Sequence, residues 1–132
     1  MALLLELQAK GCAKWLDYVG DDELPILMRC AEALVYPSLY EGFGLPVIEA
    51  FAASCPVIAS SSSSIPEVAA EAALYIDPLS PSSIAAAMQK IVADDSLADS
   101  LVKKGRERVE RYSWEKAASA HLEAIVGEDR LY

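Results

Sequence analysis

The 132-residue sequence predicts an α/β domain, and three observations carry that prediction. Short β-branched or aromatic runs alternate with longer segments of helical periodicity. Each run closes on Gly, Pro, Ser or Asp, the residues that turn a chain. The runs are apolar along nearly their whole length, the pattern of strands in a parallel sheet covered by helices on both faces. Four strands are expected, at residues 15–19, 33–36, 56–59 and 74–76.

Each connecting element has its own signal. Asp21 and Asp22 stand where a helix N-cap belongs and Pro25 falls in the first turn, so a helix is expected to run to about Glu32. The next helix should start at Pro46 and reach about Ser54. Ser64-Ile65-Pro66-Glu67 reads as a capping box, in which the Ser hydroxyl and the Glu carboxylate satisfy each other's free amides. From Pro81 onward the pattern is helix only. Ile84, Ala87, Met88, Ile91 and Val92 form one apolar stripe, and Leu97, Leu101, Gly105 and Val109 repeat at four-residue steps. Ser113 caps a last helix, with Trp114 expected to anchor it on the sheet and His121 to lie on its apolar face. No linker or repeat interrupts residues 1–132, which read as a single domain.

Hydrophobic residues make up 54% of the chain and charged residues 23%, too apolar for disorder. Twenty Asp and Glu against eleven Lys and Arg leave a net charge of −9, and an acidic surface repels phosphate backbones, so nucleic acid is excluded as a partner. The apolar stretch from Met1 to Leu5 stops at Glu6, far short of the ~20 residues of a membrane span and without a basic leader. Cys12, Cys30 and Cys55 have no C-x-x-C spacing and read as reduced, buried thiols of a cytoplasmic protein; no metal site is expected. The basic stretch Lys103, Lys104, Arg106, Arg108 and Arg111 interleaves with Glu107 and Glu110 and reads as a solvated, ion-paired helix face.

Residues 36–50, YPSLYEGFGLPVIEA, are the most unusual segment. They leave the C-terminal end of a predicted parallel strand, where open α/β sheets bind ligands, and enter a helix at a proline. Gly42 and Gly44 let backbone approach a ligand, and the amides of Phe43, Gly44, Leu45 and Val47 cluster at the positive end of that helix. Such a loop suits a phosphate or a sugar hydroxyl. Glu41 and Glu49 bracket it, and a carboxylate is a natural clamp for a vicinal diol such as ribose. On residue chemistry alone, the first reading is of Glu41 as a solvated loop residue and Glu49 as a helix-dipole partner. The serines at 60–64 read either as a turn with a helix cap or as a surface against a nucleotide.

The Glu-x7-Glu element in its context Tyr-Pro-Ser-x-Tyr-Glu-Gly-Phe-Gly-Leu-Pro-x-x-Glu-Ala resembles the donor-site signature of the retaining glycosyltransferases of family 4, which have the two-domain GT-B fold. Phe51 to Ile58 resembles the family's next helix-to-strand passage, with Ser54 where a glycine is common. Ile65-Pro66-Glu67-Val68, Ala72 to Pro78 and Arg111-Tyr112-Ser113-Trp114-Glu115 follow in the family's order. The resemblance implies an incomplete Rossmann-like three-layer domain, the donor-binding C-terminal part of such an enzyme. It implies that Glu41, as the catalytic-site carboxylate, contacts the donor sugar. Gly42, Phe43, Gly44 and Leu45 hold sugar and pyrophosphate, Glu49 binds the ribose hydroxyls, and no cofactor or metal is needed beyond the nucleotide sugar itself.

Family members begin this domain with two further strands and a basic Arg/Lys pair that neutralises the departing diphosphate, and neither precedes Trp15. The chain is therefore expected to bind a nucleotide sugar without transferring it, with the acceptor-binding half separate. A non-catalytic binding or assembly module with the same fold is the alternative. Loss of two central strands would leave residues 33–36 as an open sheet edge, to be closed by residues 15–19 or by a second copy in a homodimer.

Overall fold

The computed structural model describes residues 2–127. A parallel sheet in the order β1-β2-β3 is formed by β1 (Leu34–Tyr36), β2 (Val57–Ser60) and β3 (Ala73–Ile76). Val35 sits beside Ile58, and Ile58 beside Leu74. Around it lie α1 (Ala2–Ala9), α2 (Leu24–Cys30), α3 (Leu45–Ala52), α4 (Ile65–Ala69), α5 (Pro81–Ala93), α6 (Asp95–Val109) and α7 (Trp114–Val126), with a 3-10 turn (Ala70–Ala72) leading into β3.

Strand alternation divides the core into two layers. Val57 and Ala59 pack with Val47, Ala50 and Phe51 of α3 and with Ile65 and Val68 of α4. Ile58 points the other way, to Ala87 and Ile91 of α5 and Leu101 of α6. Every residue of β2 is buried, as expected of a central strand covered on both faces. The four-residue repeat of α6 has a structural purpose: Leu97 and Leu101 belong to the second layer and Val109 to the first. Between them Gly105 brings α6 onto α3, where a Cβ would come within 2.6 Å of Phe51 Cδ1.

The sequence expectations hold for three strands and fail for the fourth. Residues 15–19 form no strand; Trp15 is 61% and Tyr18 81% exposed. A strand takes its stability from a ladder and a packed face, and this segment has neither, so its aromatic composition does not decide its conformation. Glu23, not Asp21 or Asp22, occupies the N-cap of α2, without a side-chain cap bond to the helix, and the helix ends at Cys30. Residues 2–9, for which no element is expected, form α1 with no buried residue. Cys55 alone of the three cysteines is buried. The last helix exists where expected, yet Trp114 is 82% exposed, His121 is exposed with Nδ1 2.7 Å from the Ala117 carbonyl, and no residue of α7 is buried. Its apolar stripe has no counterpart among the described residues. The chain exposes 9397 Å², against about 6,800 Å² for a closed monomer of this mass.

Ser54 explains why a glycine suits its position. It follows α3 with φ +61, a left-handed conformation that Cβ disfavours, and its hydroxyl accepts from Arg106 Nε at 2.9 Å. Ser54→Gly and Ser54→Ala both lose that bond, but only glycine relieves the strain. Ser54→Gly should therefore be more stable than Ser54→Ala by about 1 kcal/mol; equal denaturation midpoints for the two variants would refute the assignment.

Candidate functional site

The loop from β1 to α3, residues 37–44, lies at the C-terminal end of the sheet, and hydroxyl groups at and beyond the end of β2 hold it there. Ser60 Oγ donates to the Ser38 carbonyl at 2.5 Å. Ser63 Oγ donates to the Glu41 carbonyl at 2.6 Å and lies 3.3 Å from the Glu41 amide. Ser64 Oγ lies 2.9 Å from the Glu41 carbonyl oxygen and 3.0 Å from that of Phe43. The capping box is therefore absent: the Ser64 hydroxyl binds the loop and gives α4 no side-chain cap.

Serines hold the Ser38, Glu41 and Phe43 carbonyls, and the loop's amides face away from them. The N–H groups of Phe43, Gly44 and Leu45 meet no acceptor among the described residues. Val47, expected to be free as well, donates to the Gly44 carbonyl at 3.0 Å. Gly44 makes the turn possible, with φ +100 and Ile65 Cδ1 2.7 Å from where a Cβ would stand. Gly42 is exposed with open space beside it, so nothing bars a ligand from the backbone.

The two carboxylates differ. Glu41 Oε1 accepts from Tyr36 Oη at 2.5 Å and Ser38 Oγ at 2.7 Å, and these bonds hold the carboxyl below its usual range. Burial, then the hydrogen bond and charge of Glu41, push the Tyr36 phenol up to about 12, so at neutral pH it stays a donor. Glu49 lies on the exposed face of α3, one turn after the exposed Leu45. It makes no side-chain hydrogen bond or ion pair among the described residues, leaving both oxygens open.

The site rests on the end of α6. The Phe43 ring meets Tyr112 edge to face at 5.4 Å, and the Arg108 guanidinium lies 5.6 Å from the Tyr112 ring centre. Arg108 Nε donates to the Val68 carbonyl at 2.7 Å, and its Nη2 to that of Glu67, capping the C-terminal end of α4. The basic stretch is thus not simply a solvated face paired with Glu107 and Glu110. Arg108 braces the core, Arg106 holds Ser54, and Lys104 reaches Glu71 at 3.6 Å. The sequence placed Glu41, Gly42, Phe43, Gly44, Leu45 and Glu49 on one loop and helix start, as found. It assigned no role to Tyr36 or Ser38 and left the serine run open between two readings; the signal was the run of hydroxyls directly following a buried strand.

A short parallel sheet with a glycine loop at its C-terminal end defines a Rossmann-like α/β architecture, and comparison with known proteins narrows it. The pattern of the family described as "Glycosyl transferases group 1" matches residues 2–108, and the chain belongs to that family. The O-antigen chain mannosyltransferase B of Escherichia coli is 37% identical over 115 residues, 87% of this chain and 30% of the relative. Sucrose-phosphate synthase from Thermosynechococcus elongatus superposes with a TM-score of 0.84 at 32% identity, over 94% of this chain and 32% of that one. The C-terminal domain of a group 1 glycosyltransferase from Francisella tularensis superposes with 0.70 at 27% identity, over 83% of this chain and 60% of that one. The fold is the Rossmann-like C-terminal domain of the GT-B architecture. The chain spans about a third of the first relatives it matches. Among the described residues no helix is long and apolar enough to cross a membrane.

Proposed function

We propose that this chain is the donor-binding part of a retaining glycosyltransferase of family 4, and that its ligand is a nucleoside diphosphate sugar. One observation carries the reading: three unpaired backbone N–H groups, at Phe43, Gly44 and Leu45, lie between two carboxylates. Donors at the positive end of a helix suit phosphate oxygens, whereas carboxylates accept from hydroxyls and repel phosphate. A ligand matching that order has hydroxyls, an anionic centre, then hydroxyls: sugar, pyrophosphate, ribose. Glu41 takes the sugar side and Glu49, with both oxygens open, the ribose diol. The mannosyltransferase relative makes an activated mannose the first donor to test. Calorimetry with GDP-mannose and GDP should show Glu49→Ala weakening both ligands and Glu41→Ala weakening GDP-mannose alone, each by about tenfold. Equal losses, or binding indifferent to both changes, would remove the assignment.

Among the described residues no lysine or arginine side chain hydrogen-bonds or ion-pairs with loop 37–44, and Arg108 is committed to carbonyls of α4. A leaving diphosphate without cationic compensation lacks the largest electrostatic contribution to catalysis. The 132 residues alone are accordingly expected to bind donor without transfer, an acceptor-binding half supplying the rest. The outer edge of β1 has no strand beside it among the described residues, and the surface excess of about 2,600 Å² exceeds the ~800 Å² that each partner contributes to a standard interface. That edge is the proposed contact of a homodimer. Sedimentation at micromolar concentration should give twice the mass of one chain; a monomer mass would refute the pairing.

A further inference from the structure

The carboxylate of Glu41 is not free to choose its geometry. Oε1 has two acceptor positions, and Tyr36 Oη at 2.5 Å and Ser38 Oγ at 2.7 Å fill both. The single Ser38 proton has a second acceptor, the Tyr40 carbonyl at 3.2 Å, but the shorter bond to an ionised oxygen is the stronger. The donors come from rigid backbone: Tyr36 ends β1, and the Ser38 carbonyl is tied to Ser60 at the end of β2. We propose that Tyr36 and Ser38 are positioning residues, which lock Glu41 so that only Oε2 remains to accept a hydroxyl of the donor sugar. The inference deepens the donor-binding reading above and rests on it.

The lock has two consequences that a purely structural contact lacks. Glu41 becomes a one-sided acceptor, satisfied by one ligand oxygen with the fixed direction of Oε2, whereas Glu49 can clamp two neighbouring hydroxyls. Glu41 also stays ionised further into acid than a solvated carboxylate, because both donors favour its charged form. Tyr36 is the one titratable side chain hydrogen-bonded to it among the described residues; Ser38 is neutral, and Ser63 and Ser64 meet only its backbone. Sugar recognition through Glu41 is therefore present above the depressed carboxyl pKa and lost as pH falls through it. Removing the phenol moves that loss to higher pH.

The test uses the full chain with Tyr36→Phe and Ser38→Ala, each checked for an intact fold by its near-UV spectrum. Carboxyl-carbon NMR follows the Glu41 titration, and calorimetry compares GDP-mannose with GDP. Each variant should raise the Glu41 midpoint and weaken GDP-mannose about fivefold, with GDP unchanged. An unmoved midpoint, or GDP-mannose affinity equal to wild type in both variants, overturns the lock. Equal weakening of GDP and GDP-mannose also overturns it, because that marks general damage to the loop. If the wild type binds neither ligand, the donor-binding reading fails, and the Glu41 midpoint alone decides whether the lock exists.

Discussion

The loop between β1 and α3 depends on hydroxyl-to-carbonyl bonds between two neighbouring strand ends. Ser60 ends β2 and Ser63 and Ser64 follow it, and each donates into the loop that follows β1. A backbone carbonyl needs a partner, and in a loop this short the partner decides which way the peptide faces. In a trans peptide the N–H points away from the carbonyl, so the Glu41 and Phe43 carbonyls held by serines turn the Gly42 and Gly44 N–H groups outward, and the Gly44 carbonyl, which accepts from Val47, does the same for Leu45. The left-handed Gly44 then admits the chain to α3, against Ile65 of α4. Hydroxyls supplied by one strand end thus set the polarity of the site at the other.

The wider packing serves the same region. Phe51 anchors α3 beneath the loop, and it is reached by α6 because position 105 has no side chain. From there α6 continues to Arg108, whose donors close the end of α4, and just beyond the helix Tyr112 meets Phe43. A single helix crossing from one layer to the other therefore couples both cores to the loop. Against that order, α1, residues 15–19 and α7 expose Leu3, Trp15, Tyr18, Trp114 and Ile125.

How much of this was legible in the sequence follows from where each interaction comes from. Buried runs such as Val-Ile-Ala-Ser at 57–60 identify themselves, because both faces are apolar and turns bound them. The Glu41–Glu49 element was legible for a similar reason, since a proline and two glycines mark a strand-to-helix turn. The strand expected at 15–19 failed because a strand is a relation between segments, and its partner was assumed. The Ser64 capping box failed because a local rule competed with a contact more than twenty residues away. The same distance hid Ser60 and Ser63. Trp114 and His121 stand exposed; an amphipathic stripe shows that a face can be covered, not which segment covers it.

The central claim is that the unpaired amides of residues 43–45 receive the anionic part of the ligand. The most direct measurement is an amide nitrogen-proton NMR titration of the chain with GDP. The account predicts the largest shift changes at Phe43, Gly44 and Leu45, with smaller ones at Glu49. Changes centred instead on Lys103, Lys104 and Arg111, the basic residues of α6 and its end, would contradict it.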